Sequence, residues 1–143
     1  MKVEQLSIFM ENRSGSLAEI TDVMARTGIN IRALSVADTA DFGILRVIVD
    51  DAQRAVAILK ENGFTVTRSE MVAAEVPDRP GGLNEILQVL TRRGINVEYM
   101  YAFVTRRHEA ALMVFRFDEP ERAAEALRRA GVRVLTGEEL SAL

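Results

Sequence analysis

The sequence predicts an α+β fold of two βαββαβ units, each an antiparallel sheet with both helices on one face. Three observations predict it. First, the chain repeats itself: Glu11-Asn12-Arg13-Ser14-Gly15-Ser16-Leu17 returns as Pro77-Asp78-Arg79-Pro80-Gly81-Gly82-Leu83, and Gly28-Ile29-Asn30-Ile31 returns as Gly94-Ile95-Asn96-Val97, both 66 positions on. Asp50, Arg54, Ala55, Leu59, Gly63 and Val66 then match Asp118, Arg122, Ala123, Leu127, Gly131 and Val134 at 68, which places a two-residue insertion between Asn96 and Asp118. Second, stretches of period two alternate with stretches of helical period inside each copy. Third, two right-handed crossovers in that order leave both helices on the same sheet face.

The elements follow in order. Val3 to Met10 alternates, with Leu6, Ile8 and Met10 on one side, and reads as a strand. Ser16-Leu17-Ala18-Glu19 has capping-box spacing, Leu17, Ile20, Val23 and Met24 form a helical stripe, and Gly28 ends the helix. Ile29 to Ala37 is a second strand, Asp38-Thr39-Ala40-Asp41 a turn, and Gly43 to Val49 a third strand. Asp50 opens a helix with Gln53 three residues on and Val56 and Leu59 inward; Gly63 stops it before a strand at Phe64 to Arg68.

The copy gives a strand at Met71 to Val76 and a helix at Gly82 to Arg93 with Leu83, Ile86, Val89 and Leu90 inward. Ile95 to Thr105 and Ala110 to Phe117 form a hairpin around Arg106-Arg107-His108-Glu109. Asp118-Glu119-Pro120-Glu121 starts a helix that Gly131 ends, before a strand at Val132 to Leu135. Thr136-Gly137-Glu138-Glu139 caps a last short helix toward Leu143. No linker composition separates the copies, so the expected domains are residues 1–69 and 70–143, joined tightly near Ser69-Glu70 and packed into one body.

The sheet face opposite the helices is expected to be polar, yet it is not. Ile44 and Ile48 flank Arg46 behind Leu45, Val47 and Val49, and Leu112 and Val114 lie behind Met113, Phe115 and Phe117. Strands apolar on both faces are normally covered on both, which predicts a second chain there and a homodimer.

Composition excludes several function classes. A net charge of −3 and a pI near 5.3 argue against nucleic acid as partner, and the pairs Arg92-Arg93 and Arg106-Arg107 are too small to change that. No apolar run spans a membrane, and the polar start is no signal peptide. Absence of cysteine excludes disulfides, thiolate chemistry and zinc ribbons, and is compatible with the cytoplasm. The single histidine, His108, reads as a solvated turn residue rather than a general base. Glu138-Glu139 and Asp50-Asp51 read as helix caps, and no phosphate-binding glycine motif is present. No catalytic residue, metal or cofactor is therefore expected, and the chain does not read as an enzyme.

The repeated loop is different. Each copy runs from a strand through a glycine-containing loop into a helix, and free amides there make a cradle for a small anion such as a carboxylate. Asn30 and Asn96 either shape the helix-to-strand turn or hold a ligand's polar ends. Arg13 and Arg79 read as exposed loop arginines, with carboxylate pairing the alternative.

Taken together, Asn12-Arg13-Ser14-Gly15-Ser16-Leu17 with Gly28-Ile29-Asn30-Ile31, and Asp78-Arg79-Pro80-Gly81-Gly82-Leu83 with Gly94-Ile95-Asn96-Val97, resemble the ACT domain in both halves. The resemblance implies a ferredoxin-like unit that senses small metabolites, most often amino acids, beside biosynthetic enzymes. It implies a ligand where two units meet, touching the first loop of one and the second strand of a neighbour. The ligand-binding candidates it carries over are Asn12, Ser14, Gly15, Ser16, Leu17, Asn30 and Ile31, with Asp78, Arg79, Gly81, Gly82, Leu83, Asn96 and Val97. Asn12 and Ser14 depart from the Asp-Arg-Pro-Gly form, so the two sites are expected to differ in affinity.

The expected function is that of a tandem ACT regulatory protein that binds an amino acid without turnover, the carboxylate on amides at Gly15 or Gly81. Gly81→Val is expected to block the second site without unfolding the chain. One rival is a structural partner that docks on a metabolic enzyme with degenerate loops. The other is an RNA-binding module of the same element order, which needs exposed aromatics on the central strands and could offer Phe9, Phe115 and Phe117.

Overall fold

The computed structural model describes residues 2–38, 41–107 and 110–143. Thr39-Ala40 of the expected turn and His108-Glu109 of the expected hairpin tip, with the reading of His108, lie outside the described residues, as do the side chains of Arg106 and Arg107. The elements are β1 (Val3–Glu11), α1 (Ser16–Arg26), β2 (Ile31–Asp38), β3 (Phe42–Val49), α2 (Ala52–Glu61), β4 (Thr65–Pro77), α3 (Gly82–Arg92), β5 (Val97–Arg107), β6 (Ala110–Phe117), α4 (Pro120–Arg129), β7 (Val134–Leu135) and α5 (Gly137–Ser141). They form two compact units: Glu4–Ser69, and Glu70–Leu143 together with the N-terminal residues up to Val3.

In the first unit β3 is central, pairing antiparallel with β1 (Leu6 with Val47, Ile8 with Leu45) and with β2 (Leu34 with Val47). Residues paired across an antiparallel ladder share a face. Leu6, Ile8, Leu45 and Val47 thus make one apolar surface, which α1 and α2 cover with Ile20, Val23, Met24 and Leu59. Arg68 Nε lies 2.6 Å from Glu4 Oε2.

In the second unit β6 is central, pairing with β4 (Val72 with Phe115, Ala74 with Met113) and with β5 (Met100 with Phe115). Val72, Ala74, Val76, Phe115 and Phe117 pack under Ile86, Leu90, Ala123 and Leu127 of α3 and α4. Phe115 and Phe117 are fully buried, and their rings stack with centroids 5.4 Å apart. They face the helices and offer no stacking platform for bases.

The structure differs from the expected elements in three ways. The strands expected at 64–68 and 71–76 are one strand, β4, of thirteen residues. No glycine or proline interrupts the chain from Thr65 to Val76, so nothing breaks it. The capping box expected at Ser16 does not form: Gly15 is the N-cap of α1, no side chain caps it, and Ser16 is buried inside the first turn. Asp51 rather than Asp50 caps α2, accepting from Arg54 N at 3.1 Å. Pro120 does open α4 at its first turn, and Thr136 with Glu139 does form a capping box on α5.

The face opposite the helices is not open along its length. In the first unit Gln5, Ser7 and Ile48 are buried, and Gln5 Nε2 donates to Ser7 Oγ at 3.1 Å. In the second unit Ala73, Leu112 and Val114 are buried as well. Phe9 and Phe42 remain exposed there, at 41% and 61%.

Candidate functional site

Each repeated loop is a tight turn that hands a strand to a helix. Arg13 N donates to Glu11 O at 2.9 Å and Ser16 N to Arg13 O at 3.3 Å; in the copy Arg79 N donates to Pro77 O at 3.0 Å and Gly82 N to Arg79 O at 2.9 Å. The third residue of each turn is glycine, at φ 89° in Gly15 and 83° in Gly81. That is the left-handed conformation a type II turn requires, and proline is favoured at the position before it, where Pro80 stands. Glu19 N and Glu85 N then donate to Gly15 O and Gly81 O at 3.0 Å, which starts both helices.

Neither α1 nor α3 has a side-chain cap. Ser16 N and Gly82 N are taken up by the turns, and the next amides, at Leu17, Ala18, Leu83 and Asn84, stand at the positive end of each helix dipole. A Cβ built on Gly15 or Gly81 meets nothing within 4 Å, so the space beside each glycine is open. Gly82 is another matter. A Cβ there would run into the Pro77 carbonyl oxygen, so this glycine is a packing position against the end of β4. Its counterpart Ser16 carries a buried side chain instead.

The loop arginines are engaged. Arg79 Nη2 lies 2.8 Å from Glu85 Oε1 and 2.9 Å from Oε2. Arg13 Nε lies 2.8 Å from Glu11 Oε2, and its Nη2 lies 3.8 Å from Glu19 Oε1. The signal for this was in the sequence: the acid six residues after each arginine recurs, Glu19 after Arg13 and Glu85 after Arg79.

Asn30 and Asn96 are held by their main chains. Asn30 N donates to Asp50 Oδ1 at 3.0 Å while Asp50 N donates to Asn30 O at 3.1 Å, and Asn96 N donates to Asp118 Oδ1 at 3.3 Å. Asp50 and Asp118 thus brace the turns into β2 and β5. Both asparagines are exposed, and neither side-chain amide is hydrogen-bonded among the described residues.

No unit brings its own loop to its own asparagine. Along β3, Phe42 pairs with Glu11 at the loop end, while Val49 pairs with Ile31 at the other. Seven strand steps of about 3.3 Å put the two groups about 23 Å apart. The second unit repeats this, with Ala110 opposite Pro77 and Phe117 opposite Val97. Asn12, Ser14, Gly15, Ser16 and Leu17 are therefore one cluster and Asn30 with Ile31 another. Asp78, Arg79, Gly81, Gly82 and Leu83 are likewise apart from Asn96 and Val97. Leu17, expected inward, is 37% exposed beside its loop.

Beside the second loop lies a cavity of about 470 Å³ whose lining includes Pro77, Glu85, Ile86, Val89, Val132 and Arg133. Among the described residues the displaced pKa values lie elsewhere. Glu70, with Glu121 adding to it, pushes the Lys2 ammonium up, and the backbone amide of Glu138 itself holds that carboxylate down. Among the described residues no cluster of His, Cys, Asp and Glu could hold a metal, and no helix is long and apolar enough to cross a membrane.

The sequence profile of the ACT domain pair family matches residues 1–143. Among solved structures the chain is similar to protein BT0572 from Bacteroides thetaiotaomicron, at 40% identity and a TM-score of 0.93, covering 100% of this chain and 98% of that one. Its fold is similar to that of the regulatory subunit of aspartate kinase from Thermus thermophilus, at 18% identity and a TM-score of 0.64 over 91% of this chain and 93% of that one. The regulatory subunit of aspartate kinase from Thermus flavus gives 18% identity and 0.65 over 91% and 90%. No protein of curated function matches the sequence. Two glycine turns into uncapped helices, repeated with their asparagine turns and matched by one profile over residues 1–143, make the chain a member of the ACT domain pair family.

Proposed function

We propose that the protein is an amino-acid sensor that regulates a metabolic enzyme and turns nothing over itself. The observation that carries this is the duplicated helix start at Gly15 and Gly81, uncapped by any side chain and open beside each glycine. A ligand carboxylate accepts hydrogen bonds from those first-turn amides, where the helix dipole favours negative charge. The ammonium is met by the unengaged side-chain oxygen of Asn30 or Asn96, or by a backbone carbonyl.

Because loop and asparagine lie at opposite ends of each unit's sheet, a complete site takes the loop of one unit and the strand start of a neighbour. That neighbour is the other repeat or a second copy of the chain. The two Thermus proteins are regulatory subunits of aspartate kinase, which supports an enzyme as the regulated body. Ligand then acts only by favouring the arrangement it binds better.

Isothermal titration calorimetry against the twenty amino acids tests the reading. Saturable heat from one or a few of them is expected. Silence from all twenty, with folding confirmed by circular dichroism, overturns it.

A further inference from the structure

Arg32 follows Asn30 and Ile31 directly, at the irregularity in the β2–β3 register between Ile31 and Ala33. Its Nε is buried without a hydrogen-bond acceptor, and no carboxylate among the described residues pairs with its guanidinium. A guanidinium does not shed its charge at any ordinary pH, so it cannot relieve lost hydration by losing a proton. A donor sheltered from water in this way is costly until something accepts from it.

The repeat supplies the contrast. Sixty-six positions on, the residue is Glu98, of opposite charge. Glu98 Oε1 lies 3.5 Å from Arg116 Nε, so it is paired within its own unit. The loop arginines Arg13 and Arg79 are paired too. Arg32 is the arginine at a candidate site that waits for an anion.

We propose that Arg32 is a ligand-binding residue that receives the side-chain carboxylate of an acidic amino acid. The strand start Asn30-Ile31-Arg32 selects aspartate or glutamate, while Asn96-Val97-Glu98 repels them. This deepens the sensing reading and rests on it. With the α-carboxylate on loop amides and the ammonium on Asn30, the second carboxylate falls to the planar fork of Arg32, which suits it in bidentate geometry. The same ligand at the other strand start meets the carboxylate of Glu98.

Calorimetry with L-aspartate, L-glutamate, L-asparagine and L-glutamine, on wild type, Arg32→Gln and Arg32→Lys, tests the assignment. Wild type is expected to bind an acid at least tenfold more tightly than its amide, at one equivalent per chain. Arg32→Gln is expected to erase that preference without weakening the amides, and Arg32→Lys to keep part of it. Acids bound no better than amides, or a preference that survives Arg32→Gln, overturns the role of Arg32 while leaving the sensing reading intact. Equal losses for acids and amides show Arg32 on the α-carboxylate and overturn the selectivity. No binding by any amino acid removes the sensing reading and this inference together.

Discussion

Arg79 reaches over its own turn to Glu85, with Nη2 2.8 Å from Oε1 and 2.9 Å from Oε2. Arg13 makes the looser version of this contact with Glu19, at 3.8 Å. The contact holds the arginine against the first turn of α3. Under the proposed sensing role it would also compete with a bound carboxylate for the guanidinium.

Glu85→Gln separates these roles. Both side chains are 55% exposed, and exposed pairs contribute about 0.2–1 kcal/mol. Urea unfolding is therefore expected to show a loss below about 1 kcal/mol, while carboxylate ligands at the second loop bind more tightly. A weaker ligand affinity would show that the pair positions the loop rather than competes with the ligand.

The two adjacent glycines are expected to respond differently to alanine. Gly81→Ala forces a side chain into the left-handed region, at a cost of about 1–2 kcal/mol, but meets no neighbour. Gly82→Ala drives its Cβ onto the Pro77 carbonyl, and overpacking of that kind costs about 1–3 kcal/mol or more. Urea midpoints should rank Gly82→Ala as the less stable. The expected clean block by Gly81→Val is revised on the same ground, since a β-branched residue at φ 83° strains the backbone as well as filling the cradle.

Ser14→Pro should stabilise the first unit. Ser14 stands where Pro80 stands in the copy, one residue before the left-handed glycine of the same turn. Proline at a compatible position gains about 0.4–1 kcal/mol through the unfolded chain. A raised urea midpoint with an unchanged m-value is the expected result.

Asp50→Ala removes the acceptor for Asn30 N. Hydrogen bonds to a charged group contribute about 1.5–3 kcal/mol, and the exposed setting favours the low end. The Asn30 amide should exchange with deuterium faster while the core amides of Leu45 and Val47 keep their protection.

Two groups tie stability to pH. The backbone amide of Glu138 holds its folded pKa below the ordinary carboxylate value. Its contribution is present above the unfolded pKa and fades as pH falls through the folded one. Glu138→Gln should thus lose its deficit against wild type on acidification, as read by thermal melts across the acid range. Lys2 runs the other way: Glu70, then Glu121, raise its pKa, so its contribution holds below the unfolded value and fades as alkali passes the folded one.

The repeat made the fold legible, because matched punctuation at Gly15 and Gly81, and at Gly28 and Gly94, fixes where helices start and stop. The caps differ from the expected ones where two candidates stand side by side. At Gly15-Ser16 the turn needs φ above zero and takes the glycine, and at Asp50-Asp51 the first acid is drawn to Asn30 N. The joint near Ser69-Glu70 lies within β4 rather than between two strands, because hydrogen bonding has no reason to stop where a repeat does. Gly82 is a ligand-contact candidate by motif, while its packing against Pro77 depends on a backbone approach that no spacing encodes. The idle guanidinium of Arg32 was invisible for the same reason: a missing partner is a property of space.

The length of β3 sets a rule for how such a protein can respond to dilution. With about 23 Å of strand between a unit's loop and its own asparagine, a free amino acid cannot bridge the two, so the proposed sensing site would depend on a neighbour. If the neighbour is the other repeat, the apparent Kd stays constant as protein is diluted, because the tether fixes the local concentration. If it is a second molecule, the Kd rises on dilution, and the protein reports its own abundance along with that of its ligand.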